Sequence, residues 1–487
     1  MKSVPGATLS IECFHYRLRM ASVLFLAVFL AVTAGANDVR SNDIPMRWIG
    51  SWAASQQLLE PSESLSPEDP HDITLRQIVH LSLGGTEFRI RLSNRFGGGP
   101  LHLTKVRVAR PIASGSDKIE PGTDKTVTFS GATDVTIPPH AEYVSDPVSF
   151  TVNARSDVAI TLHLDSLPAE QTGHPGSRAT SYFKNGNLVS ALELAGAKTV
   201  EHWYFIAGID VAVAPDARAV VILGDSITDG HGATTNGNDR WTDFLAQRLQ
   251  AQANTRNVAV LNQGIGGNHL LTDGLGLNAL ARFDHDVIAQ PGVRYLIVFE
   301  GINDIGMLAR RGEASPAEHH ELVMRMIAAY EQLVMRAHSH DILVIGATIM
   351  PFTGSDYYHP GASNEADRLT INAWIRTPGH FDALIDFDKI TRDPERPAQL
   401  LPALDSGDHL HPSPAGYAAM AQGVPLALFV GSAVQESARG RAGSTNDSRS
   451  AASGSSMSQC RCLDSLGADF QTLEAAHQRA PCELVQL

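Results

Sequence analysis

The chain contains little cysteine. It has 4 cysteines among 487 residues, and none lies between Cys13 and Cys460. A central stretch without cysteine excludes a thiol nucleophile there and a core held by disulfide bridges. Three cysteines fall near the C-terminus, where the spacing in Cys460-Arg461-Cys462 is not that of a zinc site. One disulfide bridge in the tail is all that this arrangement permits.

Basic residues are also in short supply. The chain has 38 Lys and Arg against 52 Asp and Glu, which gives a formal net charge of -14 at pH 7. Nucleic acid binding requires a basic surface, so this balance argues against nucleic acid as a partner. The same balance disfavours binding to an anionic membrane surface. The sequence leaves the oligomeric state open.

Long hydrophobic runs are almost absent, and the one that stands out lies near the start. Residues 20–32 are apolar, follow two arginines and precede small residues at 34–36. The run is shorter than the roughly 20 residues that a bilayer-spanning helix needs, and its flanks are typical of a cleaved export signal. We therefore predict a signal peptide at residues 1–36, a secreted or periplasmic protein and no stable membrane anchor.

The first large part of the mature chain has the pattern of an all-β structure. Short runs of alternating or β-branched residues are separated by Gly, Pro, Asn and Asp, as at Gly84-Gly85. Many short strands without intervening helices are typical of a β-sandwich or a jelly roll. Because a chain of 487 residues is too long for one hydrophobic core, we predict a separate N-terminal β-sandwich domain at residues 45–215.

After this region, strands alternate with helices. Residues 219–223 have the apolar composition of a buried strand, and residues 279–289 and 414–429 are among the segments with a helical pattern. Such alternation requires a parallel sheet with helices on both faces. We predict a three-layer α/β/α domain at residues 216–432, followed by a low-complexity, disordered tail at residues 433–487 that is rich in Ser, Gly, Ala and Arg.

A serine, a histidine and an aspartate have the pattern of a nucleophile with its general base. Ser226 follows directly after an apolar strand, where a tight turn can lift its hydroxyl out of the sheet. His411 is the candidate base, and Asp408, three residues earlier, can orient the imidazole. Ligands bind at the carboxyl ends of parallel strands, so we expect these side chains to meet there. The alternative role for Ser226 is a helix cap.

Two further segments can supply hydrogen-bond donors. Gly264, Gly266 and Gly267 allow a ligand to approach the backbone closely. The side-chain amide of Asn303 can donate to a developing oxyanion, although Asn303-Asp304 is also compatible with an ordinary turn. A phosphate-binding loop is the rival interpretation of the glycines, but neither Gly-x-Gly-x-x-Gly nor a Walker lysine is present.

A metal site is the other chemistry open to these residues. His409 and His411 flank Leu410, and Asp405 and Asp408 lie nearby. No second cluster with compelling ligand spacing occurs elsewhere in the sequence. We therefore predict neither a metal nor another cofactor.

The four segments resemble the sequence blocks of the SGNH hydrolases, the superfamily of GDSL esterases and lipases. The blocks named for Ser, Gly, Asn and His occur in that order between residues 218 and 429, with Ile227 in place of the usual leucine. The resemblance implies an SGNH hydrolase domain with a three-layer α/β/α fold that works without a metal. It also implies two sets of site residues: a catalytic triad of Ser226, Asp408 and His411, and an oxyanion hole of Ser226 N–H, Gly267 and Asn303. Since two glycines are adjacent, Gly266 stays open as the donor.

The residues before these blocks also resemble known proteins. Segments 48–55 and 74–79 are similar to the leading segments of secreted two-domain SGNH esterases, which often act on acylated carbohydrates. The resemblance implies a serine esterase that hydrolyses short-chain acyl esters, acetyl esters foremost, of small molecules or polysaccharides. A lipase for longer acyl esters and a non-catalytic carbohydrate-binding protein are the alternatives. No substrate-binding residue is assigned, but Trp241, His269 and Tyr357 are candidates for lining the pocket.

Overall fold

The computed structural model describes residues 46–430. The predicted signal peptide, all four cysteines and the predicted tail lie outside the described residues. Residues 46–215 are called the N-terminal region below, and residues 216–430 the C-terminal region. Among the described helices, none combines the length and the apolar character that crossing a membrane requires.

The N-terminal region is built from antiparallel strands. They are β1 (Arg47–Ala53), β2 (Gln57–Leu58), β3 (His71–His80), β4 (Gly85–Ser93), β5 (Leu101–Ala109), β6 (Lys125–Val127), β7 (Val135–Ile137), β8 (Glu142–Val144), β9 (Val148–Val152), β10 (Asp157–Ser166), β11 (Thr172–His174), β12 (Ser181–Asn185), β13 (Lys198–Val200), β14 (Trp203–Tyr204) and β15 (Ile206–Val213). In β9, Val148, Phe150 and Val152 are buried, and the residues between them are exposed. This period of two places one face of the strand on the core.

These strands form three sheets. One sheet has the order β1-β15-β4-β8, with β9 also paired to β4. A second has the order β13-β12-β3-β10-β5-β6, with β7 also paired to β5, and a small third sheet has the order β14-β11-β2. All these pairs whose register is recorded are antiparallel. The prediction of an all-β region is confirmed.

The C-terminal region contains one parallel sheet with the order β17-β16-β18-β19-β20. Its strands are β16 (Arg218–Gly224), β17 (Val258–Gly264), β18 (Val293–Phe299), β19 (Leu343–Ala347) and β20 (Ala383–Ile385). Strand β16 lies between β17 and β18, and its apolar residues 219–223 are fully buried. A strand buried on both faces requires such a continuous apolar run. The predicted α/β fold is confirmed.

Helices connect these strands. They are α1 (Ser226–Asp229), α2 (Trp241–Gln250), α3 (Ala279–Phe283), a π-helix (Asp284–Ile288), α4 (Ile302–Arg310), α5 (Pro316–His338), α6 (Ala362–Arg376), α7 (Phe387–Thr391), α8 (Pro414–Gly423) and a 3₁₀ helix (Leu426–Phe429). The helix predicted over 279–289 is thus divided into an α and a π part. The helix predicted over 414–429 ends early, because Pro425 has no N–H to continue it.

The two regions share one hydrophobic core. Strand β1 lies against β17, and a Cβ on Gly50 would be 2.8 Å from the side chain of Leu261. The backbone N–H of Gly50 donates to the carbonyl of Pro291 at 2.9 Å, and that of Val260 donates to the Ser82 hydroxyl at 3.0 Å. All described residues fall within one compact unit. The predicted boundary near residue 215 stays a prediction, but the two regions pack together closely.

Candidate active site

A short turn at the end of the central strand carries Ser226. Strand β16 ends at Gly224, and Asp225 is the N-cap of α1, with its carboxylate accepting the N–H of Ile227 at 2.9 Å. Ser226 is the first residue of the helix, so the cap is supplied by its neighbour. Gly230, with a φ of 103°, ends this single turn. The Ser226 hydroxyl therefore stands at the carboxyl end of the sheet and is free for other bonds.

The three residues predicted as nucleophile, base and acid form one chain of hydrogen bonds. Ser226 Oγ lies 2.8 Å from His411 Nε2, and His411 Nδ1 lies 2.5 Å from Asp408 Oδ2. The second oxygen of Asp408 accepts the backbone N–H groups of Leu410 at 3.0 Å and of His411 at 2.8 Å. The loop before α8 thus folds around the carboxylate, which holds the ring of His411 toward the serine.

The charge of Asp408 suits this arrangement. Burial acts to raise the pKa of the carboxyl, but the hydrogen bonds and charge of His411, with the N–H of Leu410, outweigh burial and hold the pKa well below its usual range. Asp408 is therefore a carboxylate at neutral pH. A carboxylate on Nδ1 keeps the hydrogen on that nitrogen, so Nε2 is left to accept a proton from Ser226.

Among the described residues, backbone N–H groups without an acceptor lie in the segments that were predicted to supply oxyanion donors. Within residues 46–430, the backbone N–H groups of Ser226, Gly266 and Gly267 donate no hydrogen bond. Gly267 has a φ of 68°, a left-handed backbone that glycine adopts without strain. Both glycines line the same cavity as Ser226. The choice between Gly266 and Gly267 as donor stays open.

The amide of Asn303 is held in one orientation. Its Nδ2 donates to the carbonyl of Asn268 at 2.6 Å, and its Oδ1 accepts the hydroxyl of Tyr358 at 2.6 Å. Since a carbonyl can only accept, the nitrogen must face Asn268, which leaves one N–H of the amide for another acceptor. Asn303 is almost fully buried. The sequence did not indicate Tyr358, because its partner lies 55 positions away.

One cavity of about 840 Å³ joins these groups. All five predicted site residues line it, together with His231, His269, Leu275, Met307, Tyr357 and others. Of the three residues considered as pocket-lining candidates, His269 and Tyr357 are therefore in the cavity. Trp241 is not, because it is fully buried in the core, where its ring packs against Phe387.

His231 also lines this cavity, and it was not identified from the sequence. Its ring lies 4.0 Å from the ring of His411, centroid to centroid, and its Nε2 lies 3.9 Å from Asp408 Oδ2. Arg178 of the N-terminal region lies 3.3 Å from its Nδ1. Burial, then the charges of His411 and Arg178, lower the pKa of His231 to about 4, so the ring is neutral at pH 7. The one indication of His231 in the sequence was its position, five residues after Ser226.

A layer of buried charge lies beneath the site. Arg282 donates to the carbonyls of Gly224 at 2.9 Å and Gln263 at 2.6 Å, and to the carboxylate of Glu300 at 3.1 Å. These three acceptors lie within one residue of the ends of β16, β17 and β18. Arg282 thus ties together three neighbouring strands at the edge of the sheet where Ser226 is located.

Two acids of this layer have shifted pKa values. Burial raises the pKa of Asp225 to about 7. Burial also raises the pKa of Asp304 to about 6, although its carboxylate accepts the N–H groups of Leu270 and Leu271 at 2.8 and 3.0 Å. Asp304 thereby holds the loop that follows Gly267, and Asp225 holds the turn of Ser226. Both act on the segments that carry the donors.

The residues considered for a metal do not come together as the sequence suggested. His409 bonds to Asp405 at 2.6 Å, is exposed and does not reach the triad. Within the described part of the chain, His231, Asp408 and His411 form the one group of three with ligand atoms within 4.8 Å of one another. Both ring nitrogens of His411 and the facing oxygen of Asp408 already take part in the hydrogen bonds of the triad. The donor set therefore suits proton transfer better than a cation.

Comparisons with known proteins address the C-terminal region. The family model of the GDSL-like lipase/acylhydrolase family matches residues 222–419. Comparison with curated proteins gives no significant match. A solved structure from Desulfitobacterium hafniense DCB-2, assigned to the lipolytic G-D-S-L family, is 24% identical, and the match covers 42% of this chain and 96% of that one with a TM-score of 0.32.

Two other solved structures belong to proteins named as acetylxylan esterases. Axe2 from Geobacillus stearothermophilus, solved as a catalytic mutant, is 22% identical over 44% of this chain and 94% of that one, with a TM-score of 0.32. AlAXEase is 20% identical over 42% of this chain and 96% of that one, with a TM-score of 0.31. The family match spans the segment that contains all five predicted site residues. Residues 222–419 are a domain of the GDSL-like lipase/acylhydrolase family, and the protein is an ester-hydrolysing enzyme.

Proposed function

We propose that the protein is an exported serine esterase that removes short acyl groups, acetyl foremost, from carbohydrate esters. The observation that carries the proposed mechanism is the hydrogen-bonded chain of Ser226, His411 and Asp408, with separations of 2.8 and 2.5 Å. The chain faces a cavity that also contains backbone and side-chain donors. This combination supports nucleophilic acyl transfer.

In the proposed reaction, His411 Nε2 takes the proton of Ser226 as the hydroxyl oxygen attacks the ester carbonyl. Asp408 stabilises the imidazolium that forms. The N–H groups of Ser226 and Gly267, with the free N–H of the Asn303 amide, receive the oxyanion. His411 then passes its proton to the leaving alcohol, and water hydrolyses the acyl-enzyme by the same steps. Every proton therefore moves through one imidazole.

The substrate is proposed on chemical grounds and by analogy. An exported acidic protein meets polymeric sugars outside the cell. The cavity is lined by Tyr357, a residue that is 54% exposed and whose ring lies 4.2 Å beneath the guanidinium of Arg310. An exposed aromatic ring offers an apolar face beside a polar hydroxyl. This pair of surfaces suits a sugar ring better than a bare alkyl chain.

A lipase for longer acyl esters is the second candidate. The cavity of about 840 Å³ is larger than an acetyl group needs, and Leu275 and Met307 line it. Leu275 is 52% exposed, so its side chain could cover an apolar acyl chain. This candidate shares the triad and differs only in the group that occupies the cavity.

A substrate panel distinguishes these candidates. We expect the protein to release acetate from acetylated xylan and to hydrolyse nitrophenyl acetate faster than the corresponding long-chain esters, with Ser226→Ala as the inactive control. A preference for long acyl chains would replace the carbohydrate esterase by the lipase. An inactive parent that still binds polysaccharide would favour the non-catalytic alternative.

The export step is a separate part of the proposal. It is supported by the apolar run at residues 20–32 and the small residues at 34–36. We expect N-terminal sequencing of the protein recovered outside the cytoplasm to begin at Asn37. Retention of the first 36 residues on a cytoplasmic protein would argue against export.

A further inference from the structure

A segment of the N-terminal region lies along the nucleophile turn. This segment, residues 174–180, is called the bracing segment. The backbone N–H of Asn236 donates to the carbonyl of Arg178 at 2.8 Å, and the N–H of Thr180 donates to the Asn236 side chain at 2.8 Å. Arg240 donates to the carbonyls of Ser177 and Asp229, the latter at 2.9 Å. These bonds hold the bracing segment against the chain that follows Ser226.

His174 is the first contact of the bracing segment with the nucleophile turn. Its Nε2 lies 2.8 Å from Asp229 Oδ1, and its Nδ1 lies 2.8 Å from the carbonyl of Ser55. A carbonyl can only accept, so Nδ1 carries a hydrogen. The ring also stacks on Trp203, with centroids 5.8 Å apart and an interplanar angle of 28°. His174 is buried and fixed on three sides.

Asp229, the last residue of α1, has little freedom to move. Its backbone N–H donates to the carbonyl of Asp225 at 2.9 Å. A Cβ on Gly176 would lie 1.7 Å from Asp229 Oδ2, and a Cβ on Gly264 would lie 2.4 Å from its backbone nitrogen. The N-terminal region and strand β17 therefore enclose Asp229 from two sides. Any shift of this residue moves the single helical turn that begins at Ser226.

Arg178 is the second contact. Its guanidinium donates to Nδ1 of His231 at 3.3 Å, which requires a lone pair on that nitrogen and places the ring hydrogen on Nε2, on the side of Asp408. The ring so fixed packs on His411 at 4.0 Å. Arg178 has a φ of 46°, a left-handed backbone that is strained for a residue other than glycine. Strained residues of this kind cluster at functional sites.

We propose that the N-terminal region completes the active site, with His174 and Arg178 as positioning residues for the two ends of the segment 226–231. His174 acts through Asp229 on the turn of Ser226, and Arg178 acts through His231 on the ring of His411. The inference rests on the proposed function of Ser226 as nucleophile. It assigns the N-terminal region a part in the chemical step and not only in substrate capture.

The first test changes the contact from the N-terminal side without removing a polar group. In the full chain, Gly176→Ala places a methyl group on Asp229, whereas Gly99→Ala, the matched control in the same region, meets nothing within 4 Å. We expect kcat for nitrophenyl acetate to fall about 10- to 100-fold in Gly176→Ala, because small misplacements of reacting groups have effects of this size. Gly99→Ala is expected to keep the parent kcat.

The second test separates positioning from stability. Arg178→Gly removes the guanidinium and relieves the left-handed backbone, so we expect an unfolding midpoint at or above that of the parent. We also expect kcat to fall about tenfold or more while KM changes less than about threefold. Arg178→Lys keeps a cationic donor and should restore most of the rate. The active fraction is measured by titration with a fluorophosphonate, which reacts with an activated serine.

The outcomes separate this inference from the proposed function. If the parent is active and Gly176→Ala and Arg178→Gly both keep its kcat per titrated site, the N-terminal region has no positioning role and the esterase proposal stands. If the parent neither turns over the ester nor reacts with the fluorophosphonate, the proposed function itself fails. Should Gly176→Ala not fold, the comparison of Arg178→Gly with Arg178→Lys decides alone: equal rates overturn the inference, and a rate restored only by lysine supports it.

Discussion

Arg76 in the N-terminal region and Arg282 in the C-terminal region are both almost fully buried, but they have different partners. Arg76 donates to the hydroxyl of Thr161 at 3.0 Å and to the carbonyls of Asp117 and Ala191. All three are neutral acceptors, and two of them lie in loops. A buried charge must be satisfied by such bonds, and here the bonds fasten loops to the sheet.

Arg282 uses the same side chain differently. It pairs with the carboxylates of Asp286 at 2.9 Å and Glu300 at 3.1 Å, and it bonds to the carbonyl of Gly224 beside the nucleophile turn. Burial raises the pKa values of the neighbouring acids Asp225 and Glu300. The comparison shows that buried charge supports the loops in one region and the frame of the active site in the other.

If the buried charge of the C-terminal region frames an active site, removing the proposed nucleophile of that site should have the largest effect on the rate. Ser226→Ala should lower kcat by about 10⁴-fold or more, because a triad without its nucleophile retains only the contribution of the oxyanion hole and binding. The free energy of unfolding should change by only about 1 kcal/mol, because the variant loses one buried hydrogen bond, that of Ser226 to His411. Steady-state kinetics and urea unfolding of the same preparation check both statements. A variant with a near-normal rate would move the chemistry to another residue.

The next largest effect is expected at Asn303. Asn303→Ala removes the side-chain donor and should lower kcat about 100- to 1,000-fold, the usual cost of losing one oxyanion donor. The measurement is kcat for nitrophenyl acetate per titrated active site. An unchanged rate would reassign Asn303 to the turn that was its alternative in the sequence.

Tyr358 provides a smaller test of the same donor. Tyr358→Phe removes only the hydroxyl that orients the Asn303 amide at 2.6 Å. We expect kcat to fall about fivefold, the equivalent of one hydrogen bond of about 1 kcal/mol. Tyr143→Phe, the same chemical change at an exposed position of the N-terminal region, is the matched control. Equal losses in both variants would mean that the hydroxyl of Tyr358 has no specific role.

The smallest effect on the rate is expected where charges join the two regions. His285 contacts Asp286 at 2.7 Å and Glu142 of β8 at 2.9 Å. Burial lowers the pKa of His285, but the bonds and charges of the two acids outweigh burial and raise it from 6.5 to about 9. The folded pKa is above the unfolded one, so the stabilisation is complete below about pH 6.5 and is lost as the pH rises through about 9.

His285→Gln should therefore flatten the alkaline part of the stability profile. We expect the parent to lose on the order of 2 kcal/mol more unfolding free energy than the variant between about pH 6 and pH 10. Urea unfolding at several pH values measures this difference, and kcat at pH 7 should not change. A parallel loss in both proteins would show that the pair of acids does not hold a charged imidazole.

Local motifs explain how much of the site was predictable from the sequence. Asp408 and His411 are three residues apart, and the backbone N–H of His411 closes the loop on the carboxylate, so their pairing is encoded in one short segment. Arg178 and His231 are 53 positions apart, and their contact depends on how two regions pack. No local periodicity records such a contact, and therefore the sequence left the N-terminal region without a catalytic role.

The fold, like the site, was predictable only where a local sequence pattern determines it. Alternating strands and helices predicted the parallel sheet, because each strand such as β16 needs an apolar run long enough to be buried. The division of residues 279–289 into α3 and a π-helix was not predicted. Such turns are rare, and the apolar pattern of the segment does not distinguish them from an α-helix. Arg282 of α3 and Asp286 of the π-helix are both buried.

The backbone of Arg178 has a consequence for any attempt to engineer this enzyme. Its left-handed φ of 46° is easier for glycine, so a library screened for heat tolerance should enrich that replacement. If the guanidinium guides the catalytic imidazole as proposed, the survivors of such a screen will be slower catalysts. The most stable and the fastest variants of this protein would then differ at position 178, in the N-terminal region, which contributes none of the reacting groups.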